Sequence, residues 1–145
     1  MKINIHCFVA VLVLVAACTA VAEDKKATEE TSERPCLAHF EKKGDMLLRG
    51  RVLTTWQEFT NVDYDTAFRK VAQATVRLGW APVNATKDTG TITGGDEGGS
   101  INIVVSETGK SVIRVDAKIG LSHMNFLSDE KAQKALCNSV EAPAH

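Results

Sequence analysis

The sequence lacks an excess of charge of either sign and contains little cysteine. It has 17 Lys and Arg residues against 18 Asp and Glu residues, which gives a net charge of −1 at pH 7. A nucleic-acid binder normally carries a strong basic excess, so no nucleic-acid partner is indicated. Four cysteines are too few for a disulfide-dense scaffold. The hydrophobic fraction of 44% and the charged fraction of 24% are ordinary globular values, which exclude a chain that is disordered throughout.

Motifs that would carry chemistry are absent as well. The sequence contains no GxSxG elbow, P-loop, HExxH or CxxC pattern. His39, His123 and His145 lack the helical spacing of paired metal ligands. Asp96 and Glu97, in the glycine-rich stretch 94–99, offer too few oxygen atoms for a calcium loop. We therefore expect a non-catalytic protein without a cofactor or a metal.

Residues 3–22 contain no charged side chain at all. Lys2 precedes an apolar run from Cys7 to Ala17, which is too short for a helix that crosses a hydrocarbon core of about 30 Å. The charged stretch that starts at Glu23 follows closely, and this arrangement is typical of a secretory signal. A short N-terminal membrane anchor is the alternative interpretation.

Two cleavage sites compete at the end of this leader. Ala20 and Ala22 fit the small-x-small rule of signal peptidase, which would remove residues 1–22. Residues 15–18 instead resemble a bacterial lipobox, which implies a signal peptide of residues 1–17 and an acylated Cys18. The resemblance implies a lipid bilayer as partner and, because Thr19 is not Asp, an outer-membrane lipoprotein that faces the periplasm. A soluble periplasmic or secreted protein is the alternative.

Beyond the leader, the sequence divides into a tether and one domain. Residues 18–35 are polar, of mixed charge and free of aromatic side chains, which predicts a disordered tether. Residues 36–141 then form a single domain, and residues 142–145 form a tail. Cys36 and Cys137 remain near the two ends of this domain and are expected to form a disulfide in an oxidising compartment. A redox pair or half of a metal site are the alternatives for these cysteines.

An amphipathic helix is predicted over residues 64–78. Apolar or small residues recur at helical spacing, at Tyr64, Ala67, Phe68, Val71, Ala72, Thr75 and Leu78. Asp63 or Asp65 can cap the helix, and Gly79 can end it in the left-handed conformation. A second helix is predicted from the Ser128 cap to Val140, which would bring Cys137 within reach of Cys36. Its inward residues would be Ala132, Ala135, Leu136 and Val140.

Strands are predicted over residues 47–59, 80–86, 91–93, 101–106 and 113–119. Leu48, Val52 and Trp56 share one side of the first strand. Pro82 cannot donate a ladder hydrogen bond, which favours an edge position for the second strand. A turn at 87–90 connects this strand to the next. The order β-α-β-β-β-β-α predicts an α+β fold, in which both helices pack on one face of an antiparallel sheet of four to five strands.

Two tryptophans are the remaining candidates for a site. Trp56 and Trp80 lie on or beside predicted apolar stripes, so we expect them in the core or at its rim. Tryptophan is enriched in binding hot spots, and an exposed Trp56 or Trp80 would therefore mark a partner contact.

The helix end Leu78-Gly79-Trp80 and the turn and strand at 88–93 resemble small bacterial envelope lipoproteins of unassigned function. They are similar, more loosely, to the helix-grip domains of the lipoprotein C subunit of the outer-membrane β-barrel assembly machinery. The resemblance spans roughly residues 46–140 and implies a fold and an envelope setting, but no catalytic residues. We therefore expect a non-catalytic envelope protein that binds another, unidentified envelope protein through its sheet or sheet edge. The alternative is a periplasmic domain that binds a small ligand or metal between helix and sheet.

Overall fold

The computed structural model describes residues 34–45, 50–96, 98–123 and 125–145. The predicted leader, the Cys18 lipidation site and the tether up to residue 33 lie outside the described residues. Leu47 and Leu48, which belong to the first predicted strand, lie outside them too. Neither of the two α-helices in the described ranges has the length and apolar content that a bilayer crossing requires.

Six strands and two helices make up the domain. In chain order they are β1 (Glu41–Asp45), β2 (Gly50–Thr60), α1 (Tyr64–Arg77), β3 (Val83–Thr86), β4 (Thr91–Asp96), β5 (Gly99–Gly109), β6 (Val112–Leu121) and α2 (Asp129–Val140). The strands form one antiparallel sheet in the spatial order β1-β2-β6-β5-β4-β3. Both helices pack against this sheet and against each other. The predicted α+β class is confirmed.

The strand count differs from the prediction, because β1 was not expected. All five residues of β1 are exposed, and four of them are charged, so its sequence shows no apolar alternation. A strand at the sheet edge with neither face buried does not need that alternation. Charged residues on an edge also discourage pairing with another chain.

Helix α1 forms where the periodicity predicts it. The Asp63 carboxylate caps the helix by accepting a hydrogen bond from the Thr66 amide at 2.8 Å. Gly79 follows the helix with φ +85°, a conformation that costs an L-residue with a side chain more than it costs glycine. The buried residues are Ala67, Phe68, Val71 and Thr75, all from the predicted stripe.

The core lies between the helices and one face of the sheet. The buried face of β5 and β6 carries Ile101, Ile103, Val105, Ile113, Val115, Ala117, Ile119 and Leu121. From α2, Ala132, Leu136 and Val140 are buried as predicted, and Ser128 caps the helix by accepting from the Lys131 amide. The clean alternation along β6 therefore separates a buried face from a solvated one, as expected.

Strand β2 presents its other face to the core. Leu53, Thr55 and Phe59 are buried, whereas Val52 and Trp56 share the opposite side. The apolar stripe predicted for this strand is therefore on the side away from the helices. Strand pairing explains the difference, because Leu53 lies opposite Ile119 in β6 while Trp56 lies opposite Asp116.

Strand β3 is an edge strand, as Pro82 predicts. The 87–90 turn is also present, as a 3-10 turn closed by Gly90 at φ +67°. Strand β4 extends to Asp96 and β5 begins at Gly99, so most of the 94–99 stretch belongs to a hairpin. Consecutive glycines carry no alternation signal, and for this reason the prediction ended β4 at residue 93.

The packed domain extends beyond the predicted limits at both ends. Arg34 Nη2 is 2.6 Å from a Glu141 carboxylate oxygen, so the first described residue already contacts the end of α2. After that helix, Ala142–Ala144 forms a 3-10 turn in which Pro143 is buried. Lys70 Nζ in α1 donates to the Pro143 carbonyl at 3.2 Å and holds this turn against the domain.

Candidate functional site

The face of the sheet opposite α1 and α2 is covered by neither α-helix of the described residues, and the 3-10 helix Pro35–His39 reaches it at His39. Its central residues come from three adjacent strands and are mostly polar. They are Thr54, Trp56 and Glu58 from β2, Arg114, Asp116 and Lys118 from β6, and Asn102, Val104 and Ser106 from β5. We call this surface the open face.

Trp56 is held between two neighbours on the open face. The His39 imidazole stacks on the indole with ring centroids 3.6 Å apart and an interplanar angle of 15°. Arg114 Cζ lies 4.0 Å from the centroid of the same ring, within range of a cation–π contact. His39 precedes β1 and Arg114 belongs to β6, so the two groups reach Trp56 from opposite sides of β2. The indole is therefore fixed in place before any partner binds.

Arg114 is itself fixed by carboxylates. Its Nε is 2.9 and 3.0 Å from the two Asp116 oxygens, and its Nη2 is 2.8 Å from Asp116 Oδ1. Glu58 lies 4.0 Å from Nη1 on the other side. The hydrogen bonds to Asp116 raise the pKa of the Arg114 guanidinium, which keeps its charge at all physiological pH values.

A depression of about 270 Å³ opens beside Trp56. Its lining includes His39, Glu41, Thr54, Trp56, Asn102, Val104, Asp116 and Lys118. Lys118 lies between Thr54 and Asn102 in the sheet register and forms no ion pair with a described carboxylate. Val104 is 36% exposed and gives the depression an apolar side chain. The depression thus combines the cation of Lys118, the carboxylates of Glu41 and Asp116, an apolar contact and a fixed aromatic ring.

The two predicted tryptophans lie in different environments. Trp56 is half-buried on the open face, away from the core, so the expectation that it lies in the core or at its rim is wrong. Trp80 is also half-buried, but it packs against the core cluster and agrees with a position at the core rim. Of the two, Trp56 is the one that lies on the open face.

Cys36 and Cys137 are at disulfide distance, with Cα atoms 5.5 Å apart. The sequence predicted this pair but did not predict the carboxylate of Glu141, which lies within 4.8 Å of both sulfur atoms. Arg34 binds Glu141 Oε2, while Oε1 is buried without a described hydrogen-bond partner. Sulfur atoms bound to each other are not available as metal ligands, so the cluster in this form is structural.

The histidines are not brought together. His39 stacks on Trp56, whereas His123 lies in the exposed turn after β6 and His145 is the exposed last residue. The prediction missed His39 and Arg114 as parts of one site. The sequence offered a weak signal for Arg114, as an outward residue of β6, but none for His39, because β1 itself was not predicted.

Comparison with known proteins gives a likeness in fold. No protein-family model and no curated protein matches the chain. A solved structure of a conserved protein of unknown function from Enterococcus faecalis is similar, with a TM-score of 0.50 and 10% sequence identity. The match covers 79% of this chain and 82% of that chain. The chain therefore shares its α+β architecture with that protein.

Proposed function

We propose that the chain is a non-catalytic, exported envelope protein that binds a protein partner through its open face. The observation that carries this proposal is the fixed indole of Trp56 on a face that neither described α-helix covers. Ordering a side chain at an interface costs binding free energy, and a ring that is already held avoids that cost. Tryptophan and arginine are also the residues most enriched in binding hot spots.

The side chains that line the depression support a partner of a particular chemistry. Lys118 is placed to pair with a carboxylate of the partner, and Val104, beside Trp56, is placed to pack against an apolar side chain. Both faces of the indole are occupied by His39 and Arg114, so a partner contacts the ring at its edge. A protein segment with an acidic residue next to an apolar one fits this surface. Stacking of a sugar ring on the indole does not fit it.

The envelope setting rests on the sequence of the leader. Residues 1–17 followed by Cys18 fit a lipoprotein signal, and residues 18–33 fit a tether to the outer membrane. A disulfide between Cys36 and Cys137 agrees with an oxidising compartment.

Site-specific photo-crosslinking in the source cells tests the open face. A photoreactive amino acid at Val104 should crosslink one partner, and the same probe at Val76, an exposed valine of α1, should not. Trp56→Ala and Lys118→Glu should each abolish the crosslink at position 104, whereas Phe126→Ala, which removes another exposed aromatic ring, should not. A crosslink that survives Trp56→Ala with its yield unchanged would refute the proposal.

Intact mass spectrometry of the protein extracted from membranes tests the anchor. An acylated N-terminus at Cys18 is the expected result. A mature chain that starts at Glu23 would exclude the lipoprotein and leave a soluble exported protein.

A further inference from the structure

The outer surface of the two helices is basic. Arg69, Lys70 and Arg77 lie on α1, and Lys131 and Lys134 lie on α2. All are exposed except Lys70, which is half-buried, and none forms an ion pair with a carboxylate in the described ranges. We call these five residues the cationic face.

Acidic residues on the same helices do not balance this charge. Asp65 pairs with Lys87 at 2.8 Å, Asp129 pairs with Arg51 and Lys42, and Glu141 pairs with Arg34. Asp63 is engaged as the cap of α1. Glu130 therefore remains as an acidic side chain of α2 without a described ion pair, against five cations.

A groove of about 470 Å³ runs through the cationic face. Lys70, Gln73 and Arg77 line it from α1, and Asn138 and His145 line it from the other side. Lys134 lies one helical turn before Asn138 on α2. The groove thus offers the Arg77 guanidinium, the Lys70 ammonium, which also donates to the Pro143 carbonyl, and two side-chain amides, and these groups suit the phosphate oxygens of an anionic headgroup.

An apolar side chain projects from the same surface. Val76 is 59% exposed and precedes Arg77 on the polar side of α1. At helical spacing it shares an arc with Arg69 and Gln73 rather than with the buried residues. The apolar face of α1 is buried in the core, so Val76 offers a bilayer only one small apolar contact, and the charge of the surrounding cations carries the argument.

The N-terminal side of the chain enters the domain next to this groove. Arg34 Nη2 donates to Asn138 Oδ1 at 2.9 Å, and Asn138 also lines the groove. We infer that the cationic face binds the anionic phospholipid headgroups of the membrane to which the protein is anchored. This inference rests on the proposed envelope function. When the cationic face lies against the bilayer, the open face points away from the bilayer and toward its partner.

Vesicle flotation tests the inference with the exported chain carrying Cys18→Ala, which cannot be acylated. The protein should float with vesicles of phosphatidylcholine mixed with phosphatidylglycerol at low salt. It should stay unbound with pure phosphatidylcholine, or when high salt screens the surface. Equal binding to both kinds of vesicle would overturn the inference.

Charge reversal identifies the face. Arg77→Glu with Lys134→Glu should lower binding to the anionic vesicles by roughly tenfold or more, because both side chains are exposed and neither holds another element in place. Lys43→Glu with Lys110→Glu is the matched control, because it changes the net charge equally on exposed residues away from the helices. Each variant is used only if its thermal unfolding matches that of the parent chain. An equal loss of binding in the control would overturn the inference.

Two further measurements separate other occupants of the groove. Saturable binding of inorganic phosphate that prevents flotation would assign the groove to a free anion. A dimer that dissociates in the Arg77→Glu variant would assign the face to a second copy of the chain. Either result overturns the lipid assignment. The crosslink at position 104 should survive the Arg77 and Lys134 substitutions, and vesicle binding should survive Trp56→Ala, so failure of one proposal is distinguishable from failure of the other.

Discussion

At the scale of single residues, Arg51 shows how the domain holds a buried charge. Arg51 is 4% exposed, and its Nη2 donates to the carbonyls of Leu127 at 2.6 Å and Asn125 at 3.2 Å. Its Nη1 pairs with Asp129, which Lys42 also binds from β1. Removal of Asp129 from this cluster would leave the buried Arg51 cation without its counter-charge, which strongly destabilises the folded state.

Asp129→Asn should therefore destabilise the domain in a pH-dependent way. The hydrogen bond from Lys42, followed by that from Arg51, lowers the pKa of Asp129 below its ordinary value. A carboxylate with a lowered folded-state pKa stabilises the fold fully above its unfolded pKa of about 4, and this contribution is lost as the pH falls through the folded value. The stability gap between wild type and Asp129→Asn should thus be largest near neutral pH and shrink below about pH 4.

Urea unfolding at several pH values measures this gap. Glu130→Gln is the control, because Glu130 is the exposed next residue and forms no ion pair with a described cation. A gap that stays constant down to the lowest pH would contradict the role assigned to Asp129.

Arg114→Lys tests the fixed position of Trp56. A lysine ammonium cannot reproduce both the parallel hydrogen bonds to Asp116 and the flat contact with the indole. We expect a changed near-ultraviolet circular dichroism signal and a lower crosslinking yield at position 104, with a loss of stability of only about 1 kcal/mol. Lys110→Arg is the control for a conservative change of a cation elsewhere. An unchanged crosslinking yield would show that the Arg114 contact is dispensable.

At the scale of elements, Gly79 and Gly90 both have positive φ angles, but they differ in how closely the neighbouring backbone approaches them. Gly79 ends α1 at φ +85°, and a Cβ at this position would meet no heavy atom within 4 Å. Gly90 closes the turn before β4 at φ +67°, and there a Cβ would lie 2.1 Å from the Val105 carbonyl oxygen. Val105 also donates its amide to the Gly90 carbonyl at 2.8 Å, so this turn is locked to β5.

Gly90→Ala should consequently cost more stability than Gly79→Ala. The Gly79 substitution adds only the strain of a left-handed alanine, about 1–2 kcal/mol. The Gly90 substitution adds the same strain and also displaces the backbone of β5. Chemical denaturation of both variants measures the difference, and equal losses would contradict the close approach of Gly90 and Val105.

At the scale of the whole molecule, the Cys36–Cys137 disulfide ties the start of the domain to its last helix. The bond joins residues 101 positions apart in the sequence. The hydroxyl of Thr55 in β2 donates to the Cys36 carbonyl, so the same region is also attached to the sheet. Both ends of the domain thus meet at the C-terminal end of α2.

Replacement of both Cys36 and Cys137 by alanine should lower the free energy of unfolding by about 2–4 kcal/mol. The cross-link stabilises mainly by restricting the unfolded chain, so the folded state should keep its far-ultraviolet spectrum. Thermal unfolding of wild type with and without a reductant provides the matching comparison. An unchanged melting temperature on full reduction, verified by thiol alkylation, would contradict a stabilising disulfide.

The two proposed binding surfaces, the open face and the cationic face, lie on opposite sides of the sheet. The open face carries Trp56 and the neutral-to-mixed charge of β2, β5 and β6, while the helices on the other side carry the cationic face. The two proposed binding surfaces therefore do not compete for the same residues. The proposals predict that binding of anionic vesicles and the crosslink at position 104 are independent.

Much of this domain is predictable from local patterns. The bounds of α1 and α2, the caps at Asp63 and Ser128 and the edge position of β3 follow from periodicity and from single residues. The strand β1 and the extension of β4 do not, because charged and glycine-rich stretches carry no alternation. For β2, alternation defined two faces but not which of them is buried.

The amino-acid sequence by itself determined both α-helices, most of the strands, the Cys36–Cys137 pair and the separation of a solvated from a buried face along β6. These features depend on contacts between near neighbours or on the small number of cysteines that remain. The tertiary structure alone decided that His39, Trp56 and Arg114 meet, and that five cations gather on one side. The physical reason is that strand order and register are set by long-range pairing, which brings together residues that no local pattern connects.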